Sequence, residues 1–104
     1  MYNASFYPTP PEVAEKMFAK VGKLYERSIL EPSAGKGDLA DAAVGKLECY
    51  YHTRCRELVH CIEIEPELQA AIRGKGYPLV GTDFLTFWPD EKYDLIIMNP
   101  PFAS

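Results

Sequence analysis

The sequence has no long uninterrupted apolar run, no secretory leader and no strong excess of charge of either sign. Its 104 residues include 11 Lys and Arg and 15 Asp and Glu, which gives a net charge of -4. A membrane-spanning helix needs about 20 consecutive apolar residues, so none is expected. A mildly acidic chain has no whole-molecule field that draws it onto nucleic acid, so any such contact must be local or supplied from elsewhere.

Cysteine and histidine are also scarce, and their spacing matters. Cys49, Cys55 and Cys61 are odd in number, which together with the missing leader predicts a cytoplasmic protein with reduced thiols. Combined with His52 and His60, they match no compact four-ligand pattern, so no metal site is expected.

What the sequence does contain is an alternation of apolar runs with segments of helical periodicity. The predicted strands span 28–31, 58–64, 78–80 and 93–98, and the predicted helices span 11–20, 39–44 and 66–73. The content of 47% hydrophobic residues is ordinary for one small globular domain. Such alternation predicts an α/β fold with a parallel sheet, right-handed crossovers and helices on both faces.

A glycine-bearing turn follows the first predicted strand, between Glu31 and Asp38. Gly35 and Gly37 remove the Cβ atoms that would keep a ligand away from the backbone, and the amides of the next helix face whatever lies over the turn. The turn therefore favours a nucleotide-like ligand, although a glycine pair is also typical of a merely tight connection.

Two acidic residues follow the next strands. Glu63 ends an apolar strand, where a pair of sugar hydroxyls would satisfy its carboxylate; the alternative is a solvated carboxylate at the sheet edge. Asp83 can accept from an exocyclic amine while the amide of Phe84 donates to a ring nitrogen, which would read the edge of an adenine. Asp83 could equally be a local cap.

The tetrapeptide Asn99-Pro100-Pro101-Phe102 follows the fourth predicted strand. The prolines remove amide donors, so the Pro100 carbonyl and the Asn99 side-chain oxygen can both accept from one NH2 group, while Phe102 offers a flat face. Accepting both hydrogens stabilises the positive charge that develops as the nitrogen attacks an electrophilic carbon. A proline-terminated strand with an apolar anchor is the alternative, and it leaves Asn99 unexplained.

Five segments in this order resemble the S-adenosylmethionine-dependent DNA adenine-N6 methyltransferases, a family of amino methyltransferases. They are 6–12, 30–38, 62–66, 81–85 and 99–102. The resemblance implies a Rossmann-like class I methyltransferase fold with a parallel sheet in the order 3-2-1-4 and helices on both faces. It also implies S-adenosyl-L-methionine as the cofactor.

The resemblance implies a set of cofactor contacts along the whole chain. The implied positions are Tyr7, Thr9, Glu31, Ala34, Gly35, Gly37, Glu63, Ile64, Asp83 and Phe84. Thr9 would contact the methionine carboxylate, Glu63 the ribose hydroxyls and Ile64 the adenine ring. Asp83 and the Phe84 amide would read the adenine edge.

The resemblance also implies that Asn99 and Pro100 hold the target N6 amine, next to Pro101, and that Phe102 stacks on the base. A base inside a duplex cannot reach such a pocket, so flipping of the adenine and direct methyl transfer to it are implied. Similar cradles are found in methyltransferases that act on RNA or on a protein glutamine. A non-catalytic, methyltransferase-like binding module is the alternative outside enzymes.

Further strands and a target-recognition region, through which such an enzyme would contact DNA, have no counterpart in this sequence. We therefore expect residues 1–104 to be the N-terminal portion of one cofactor-binding domain, inactive or weak at this length. Either it belongs to a longer enzyme, such as one of a restriction-modification pair, or it is a natural short form. The fourth strand would then have an unpaired edge, along which a second copy or a complementing chain could associate.

Overall fold

The computed structural model describes residues 11–32, 34–50, 52–90 and 92–98. The helices are α1 (Pro11–Ala19), α2 (Asp38–Lys46) and α3 (Pro66–Gly74). The strands are β1 (Leu24–Tyr25), β2 (Ile29–Glu31), β3 (Leu47–Glu48), β4 (Val59–Ile62), β5 (Leu79–Gly81) and β6 (Leu95–Ile96). Two 3-10 helices span His52–Leu58 and Phe84–Thr86. Among the helices in these ranges, none is long and apolar enough to cross a membrane.

A four-stranded parallel sheet in the order β5-β4-β2-β6 forms the centre of the fold. Helix α2 lies between β2 and β4 along the chain and α3 between β4 and β5, so the described residues form a mixed α/β structure with a parallel sheet. A separate two-stranded parallel sheet joins β1 to β3, with Leu24 opposite Leu47. The sequence did not predict this pair, because strands of two residues carry no recognisable periodicity.

One face of the four-stranded sheet carries the main core. Ile29 of β2 and Val59 of β4 are fully buried there and belong to the same apolar cluster as Phe18 of α1, Ala40 of α2 and Ile72 of α3. Side chains alternate between the two faces of a strand, so all three helices cover the same face of the sheet. The prediction of helices on both faces is therefore wrong for the described residues.

The opposite face is covered instead by the segment between β5 and β6. His60 Nδ1 lies 2.7 Å from the hydroxyl of Tyr93, and Phe87 packs beside Gly81 and Ile62. This connection contains Pro89, and its described residues form a 3-10 turn but no α-helix. An open cleft of about 480 Å³ lies beside this segment.

Ser28 and Asp94, which directly precede β2 and β6, hold the two strands together by hydrogen bonds in both directions. The amide and hydroxyl of Ser28 donate to Asp94 Oδ2 at 2.9 and 3.2 Å, and the Asp94 amide donates to the Ser28 carbonyl at 3.0 Å. The backbone hydrogen bond from Ser28 holds the pKa of Asp94 below its usual value. The contact therefore stabilises the fold at neutral pH and weakens as the pH falls through that lowered pKa.

The expectation of reduced thiols is wrong for two of the three cysteines. The structure joins Cys49 to Cys55 in a disulfide, with Cα atoms 5.8 Å apart, because β3 and the following 3-10 helix fold back on each other. Cys61 is a free, fully buried thiol in β4. Burial, and secondarily the charge of Glu31, raises the pKa of Cys61 to about 12. A cytoplasmic location stays a prediction.

Two glycines in or beside α2 give a matched pair of stability predictions. Gly37 has φ +100°, and a Cβ added there would lie 3.2 Å from Ile72 Cδ1; at Gly45 nothing lies within 4 Å. Gly37→Ala is expected to lower the free energy of unfolding by about 1–3 kcal/mol through backbone strain and overpacking. Gly45→Ala should raise it by about 0.5–1 kcal/mol, since alanine favours a helix interior.

Urea unfolding followed by circular dichroism measures both glycine variants. Opposite signs are the expected result. Equal changes, or a stabilised Gly37→Ala protein, would contradict the positive φ and the close approach of α3 to the start of α2.

Candidate cofactor site

The carboxyl ends of β2, β4 and β5 are joined by hydrogen bonds just beyond the sheet. The amide of Ala34 donates to the Ile62 carbonyl at 3.0 Å, and the amide of Gly35 donates to Glu63 Oε1 at 2.7 Å. The Glu63 amide in turn donates to the Gly81 carbonyl at 3.3 Å. The glycine turn and the two acidic strand ends, which the sequence placed at one edge, are therefore brought together.

Glu63 is the central group of this edge. Its side chain is only 3% exposed, and each carboxylate oxygen accepts an amide: Oε1 from Gly35 and Oε2 from Glu65 at 2.8 Å. Two charge-assisted hydrogen bonds explain how a carboxylate is tolerated in a buried position. The alternative of a solvated carboxylate is therefore wrong. Among the described residues each oxygen accepts one hydrogen bond, and a carboxylate oxygen can accept two.

Two apolar side chains project from the same edge. Ile64 is 60% exposed directly after Glu63, and Phe84 is 46% exposed after β5. Both follow the carboxyl ends of neighbouring strands, the part of an open parallel sheet where ligands bind.

Asp83 has a structural role that the sequence offered as one of two alternatives. Its Oδ1 accepts from the Leu85 amide at 2.9 Å and so caps the 3-10 helix Phe84–Thr86. The local-cap interpretation is confirmed. Recognition of an adenine edge stays a prediction, since a carboxylate can cap through one oxygen and accept an amine through the other.

The remaining described positions lie in or beside the glycine turn. Glu31 and Ala34 are buried, and the Gly37 amide donates to the Ala34 carbonyl at 2.9 Å. Gly37 is the N-cap of α2 in a left-handed conformation, and the space beside it is filled by Ile72 and Lys75 of the protein itself. Its glycine is therefore required by the turn and by the approach of α3, independently of any ligand.

The two ends of the predicted site lie outside the described residues. These positions are Tyr7, Thr9, Asn99, Pro100, Pro101 and Phe102. The described chain extends to Met98, and the amide of Ile97 still donates to the Leu30 carbonyl at 3.0 Å. The tetrapeptide thus follows directly on residues that pair with β2.

The sequence did not identify Gln69 of α3 as a site residue. Its Nε2 donates to the main-chain carbonyl of Glu63 at 2.8 Å. A glutamine in an amphipathic helix is usually a surface residue, and the one available signal was its position in the first turns of the helix that follows the acidic strand end.

The described residues at this edge include groups of the kind that bind a nucleoside. Within them, no group of three or more His, Cys, Asp or Glu side chains is placed to hold a metal. Ribose hydroxyls can donate to the carboxylate of Glu63, and an aromatic base can pack on an exposed apolar side chain such as Ile64 or Phe84. Glu63, Ile64 and Phe84 are thus the described residues that could hold the sugar and the base of a nucleoside.

Comparison with known proteins adds one relative. The chain is similar to the type II methyltransferase M.CvrRI of Paramecium bursaria Chlorella virus XZ-6E, with 32% identity over 98 residues. The aligned region covers 92% of this chain and 24% of the relative, so the chain spans about a quarter of the length of the protein it matches. No family model matches the chain.

Proposed function

We propose that this chain, which belongs to the same methyltransferase family as its type II relative, is the cofactor-binding part of an S-adenosylmethionine-dependent enzyme. The proposed reaction is methylation of the N6 amine of adenine in DNA. The proposed fold is the Rossmann-like class I methyltransferase fold, which the parallel order β5-β4-β2-β6 supports. In such sheets ligands bind beyond the carboxyl ends of the strands.

The observation that carries the proposal is the buried carboxylate of Glu63. It lies at the end of β4, accepts from the Gly35 amide of the neighbouring turn at 2.7 Å, and accepts one hydrogen bond at each oxygen from the described residues, where a carboxylate oxygen can accept two. In the proposed complex Glu63 accepts from the two ribose hydroxyls. Ile64 packs on the base, and the second carboxylate oxygen of Asp83 accepts from its amino group, with the Phe84 amide donating to a ring nitrogen.

The bound cofactor would supply an electrophilic methyl group on a sulfonium. The chain's own contribution to transfer is proposed to come from the segment 99–102. Asn99 and Pro100 accept the two hydrogens of the acceptor amine, which orients its lone pair and stabilises the charge that develops on nitrogen. Phe102 stacks on the flipped-out base. DNA is thus the proposed substrate.

Association along the edge of the sheet also stays a prediction. Among the described strands, β6 pairs only with β2, and Ile96 and Met98 are 57% and 37% exposed beside it. An apolar edge strand of this kind can add a further strand from another chain.

Calorimetric titration of the chain with S-adenosylmethionine and S-adenosylhomocysteine tests the proposed site. We expect both to bind at a single site, with methionine alone far weaker, because the contacts proposed for Glu63, Ile64, Asp83 and Phe84 are all to the nucleoside. A chain that binds neither at millimolar concentration would contradict the proposal.

Variants of Asp83 separate its capping role from recognition of the base. Asp83→Asn keeps an oxygen for the Leu85 amide but presents an NH2 group to the base, so stability should be unchanged and cofactor affinity should fall about tenfold. Asp83→Ala should also lose about 1 kcal/mol of stability with the cap. Thermal unfolding and calorimetry measure the two effects. If Asp83→Asn bound the cofactor with unchanged affinity, Asp83 would have only its capping role.

A further inference from the structure

The turn that joins β4 to α3 is held by hydrogen bonds at Glu63 and Glu65. The Glu63 amide donates to the Gly81 carbonyl, and the Glu65 amide donates back to Glu63 Oε2 at 2.8 Å. Gln69 supplies two further bonds. Its main-chain amide donates to the Glu65 carbonyl at 2.9 Å, and its side-chain Nε2 donates to the Glu63 carbonyl at 2.8 Å.

The bond from the Gln69 side chain controls one particular peptide unit. The carbonyl of Glu63 and the amide of Ile64 belong to the same rigid plane, so fixing that carbonyl fixes the plane. The backbone rotations on either side of it set the directions of the Glu63 and Ile64 side chains. One of these is the buried carboxylate and the other is the exposed apolar group.

We propose that Gln69 is a positioning residue for nucleoside recognition. By fixing this peptide plane, it orients Glu63 towards the ribose and Ile64 towards the base. The inference rests on the proposed function. Gln69 contacts neither the reacting atoms nor the cofactor in this scheme, and it acts only through the turn. A side-chain donor is needed at this position because β4 ends at Ile62, one residue before the carbonyl that must be held.

The test compares Gln69→Glu, Gln69→Lys and the exposed control Glu67→Gln on the same helix. Gln69→Glu is nearly isosteric but offers no donor at neutral pH, whereas Gln69→Lys restores an N–H donor. The probes are S-adenosylhomocysteine and its 2′-deoxy analogue, titrated by calorimetry. The two probes differ only in the 2′-hydroxyl of the ribose, a proposed partner of Glu63. The ratio of their affinities therefore measures how well Glu63 is oriented towards the ribose.

We expect the wild-type chain to prefer S-adenosylhomocysteine, and Gln69→Glu to lower that affinity about tenfold and to bring the ratio towards one. Gln69→Lys should recover part of the affinity and part of the affinity ratio. Glu67→Gln should change neither the affinity nor the ratio. If Gln69→Glu kept the wild-type affinity and the wild-type preference for S-adenosylhomocysteine over its 2′-deoxy analogue, the inference would be overturned. The proposed function would still stand.

Two other outcomes are distinguishable from these. Loss of thermal stability and of affinity with an unchanged ratio would show that Gln69 is only a structural residue, and this also overturns the inference. A wild-type chain that binds neither probe would overturn the proposed function itself, and the positioning role with it.

Discussion

Glu63→Ala is expected to weaken cofactor binding by about 100-fold or more and to lower the free energy of unfolding by about 3 kcal/mol, since hydrogen bonds to charged groups are worth about 1.5–3 kcal/mol each. The stability loss has a local origin. The substitution leaves the amides of Gly35 and Glu65 without the acceptors they have in the folded chain. The affinity loss follows because the proposed ribose hydroxyls lose the same carboxylate.

Glu63→Gln separates the two consequences of losing the carboxylate. It keeps one oxygen to accept an amide, but its NH2 group faces the other amide, so we expect a stability between those of the wild type and Glu63→Ala, with binding lost in both variants. Glu67→Ala, an exposed carboxylate at the start of α3, is the control and should change stability by only a few tenths of a kcal/mol. Urea unfolding and calorimetry provide the measurements. If Glu63→Ala bound the cofactor with wild-type affinity, the Glu63 carboxylate would not be part of the binding site.

Phe18→Ala is expected to have the largest effect on folding, a loss of about 3–5 kcal/mol, because it empties the space of a buried aromatic side chain. Phe18 is 2% exposed in α1, which packs against α2, and it belongs to the cluster with Ile29 and Val59 on the covered face of the sheet. For a domain that is stable by about 5–15 kcal/mol, this is a large fraction of the total.

Phe84→Ala is the matched control for Phe18→Ala. The same side chain is removed, but Phe84 is 46% exposed, so we expect a loss below about 1 kcal/mol. Should Phe18→Ala fail to fold, Phe18→Leu keeps most of the volume and allows the comparison at a smaller cost. Similar urea midpoints for the alanine variants at the two positions would contradict the assignment of the core.

The elements that could be predicted are those with strong local signals. Pro11 and Pro66 indicated where α1 and α3 begin, and both helices start there. The apolar run before Glu63 indicated a buried parallel strand, and β4 is one. The acidic strand end and the glycine turn could be placed at one edge because parallel strands end on the same side of a sheet.

The features that could not be predicted depend on contacts distant in sequence. The pairing of Cys49 with Cys55 follows from the return of the chain after β3, and odd cysteine counts do not reveal it. The one-sided helical cover depends on how the connection between β5 and β6 lies across the sheet. Gln69 matters through a single bond to a main-chain carbonyl, and amino-acid type alone does not signal such a bond.

The hydrogen bonds that link the ends of β2, β4 and β5 have a thermodynamic consequence for the whole chain. Glu63, the residue proposed to bind the ribose, also links the ends of β2, β4 and β5, so a site of this kind exists only while the sheet is intact. Ligand binding and folding are then linked equilibria. Cofactor at 100 times its dissociation constant would add about 2.7 kcal/mol to the free energy of unfolding, so cellular cofactor supply would tune how long the chain stays folded.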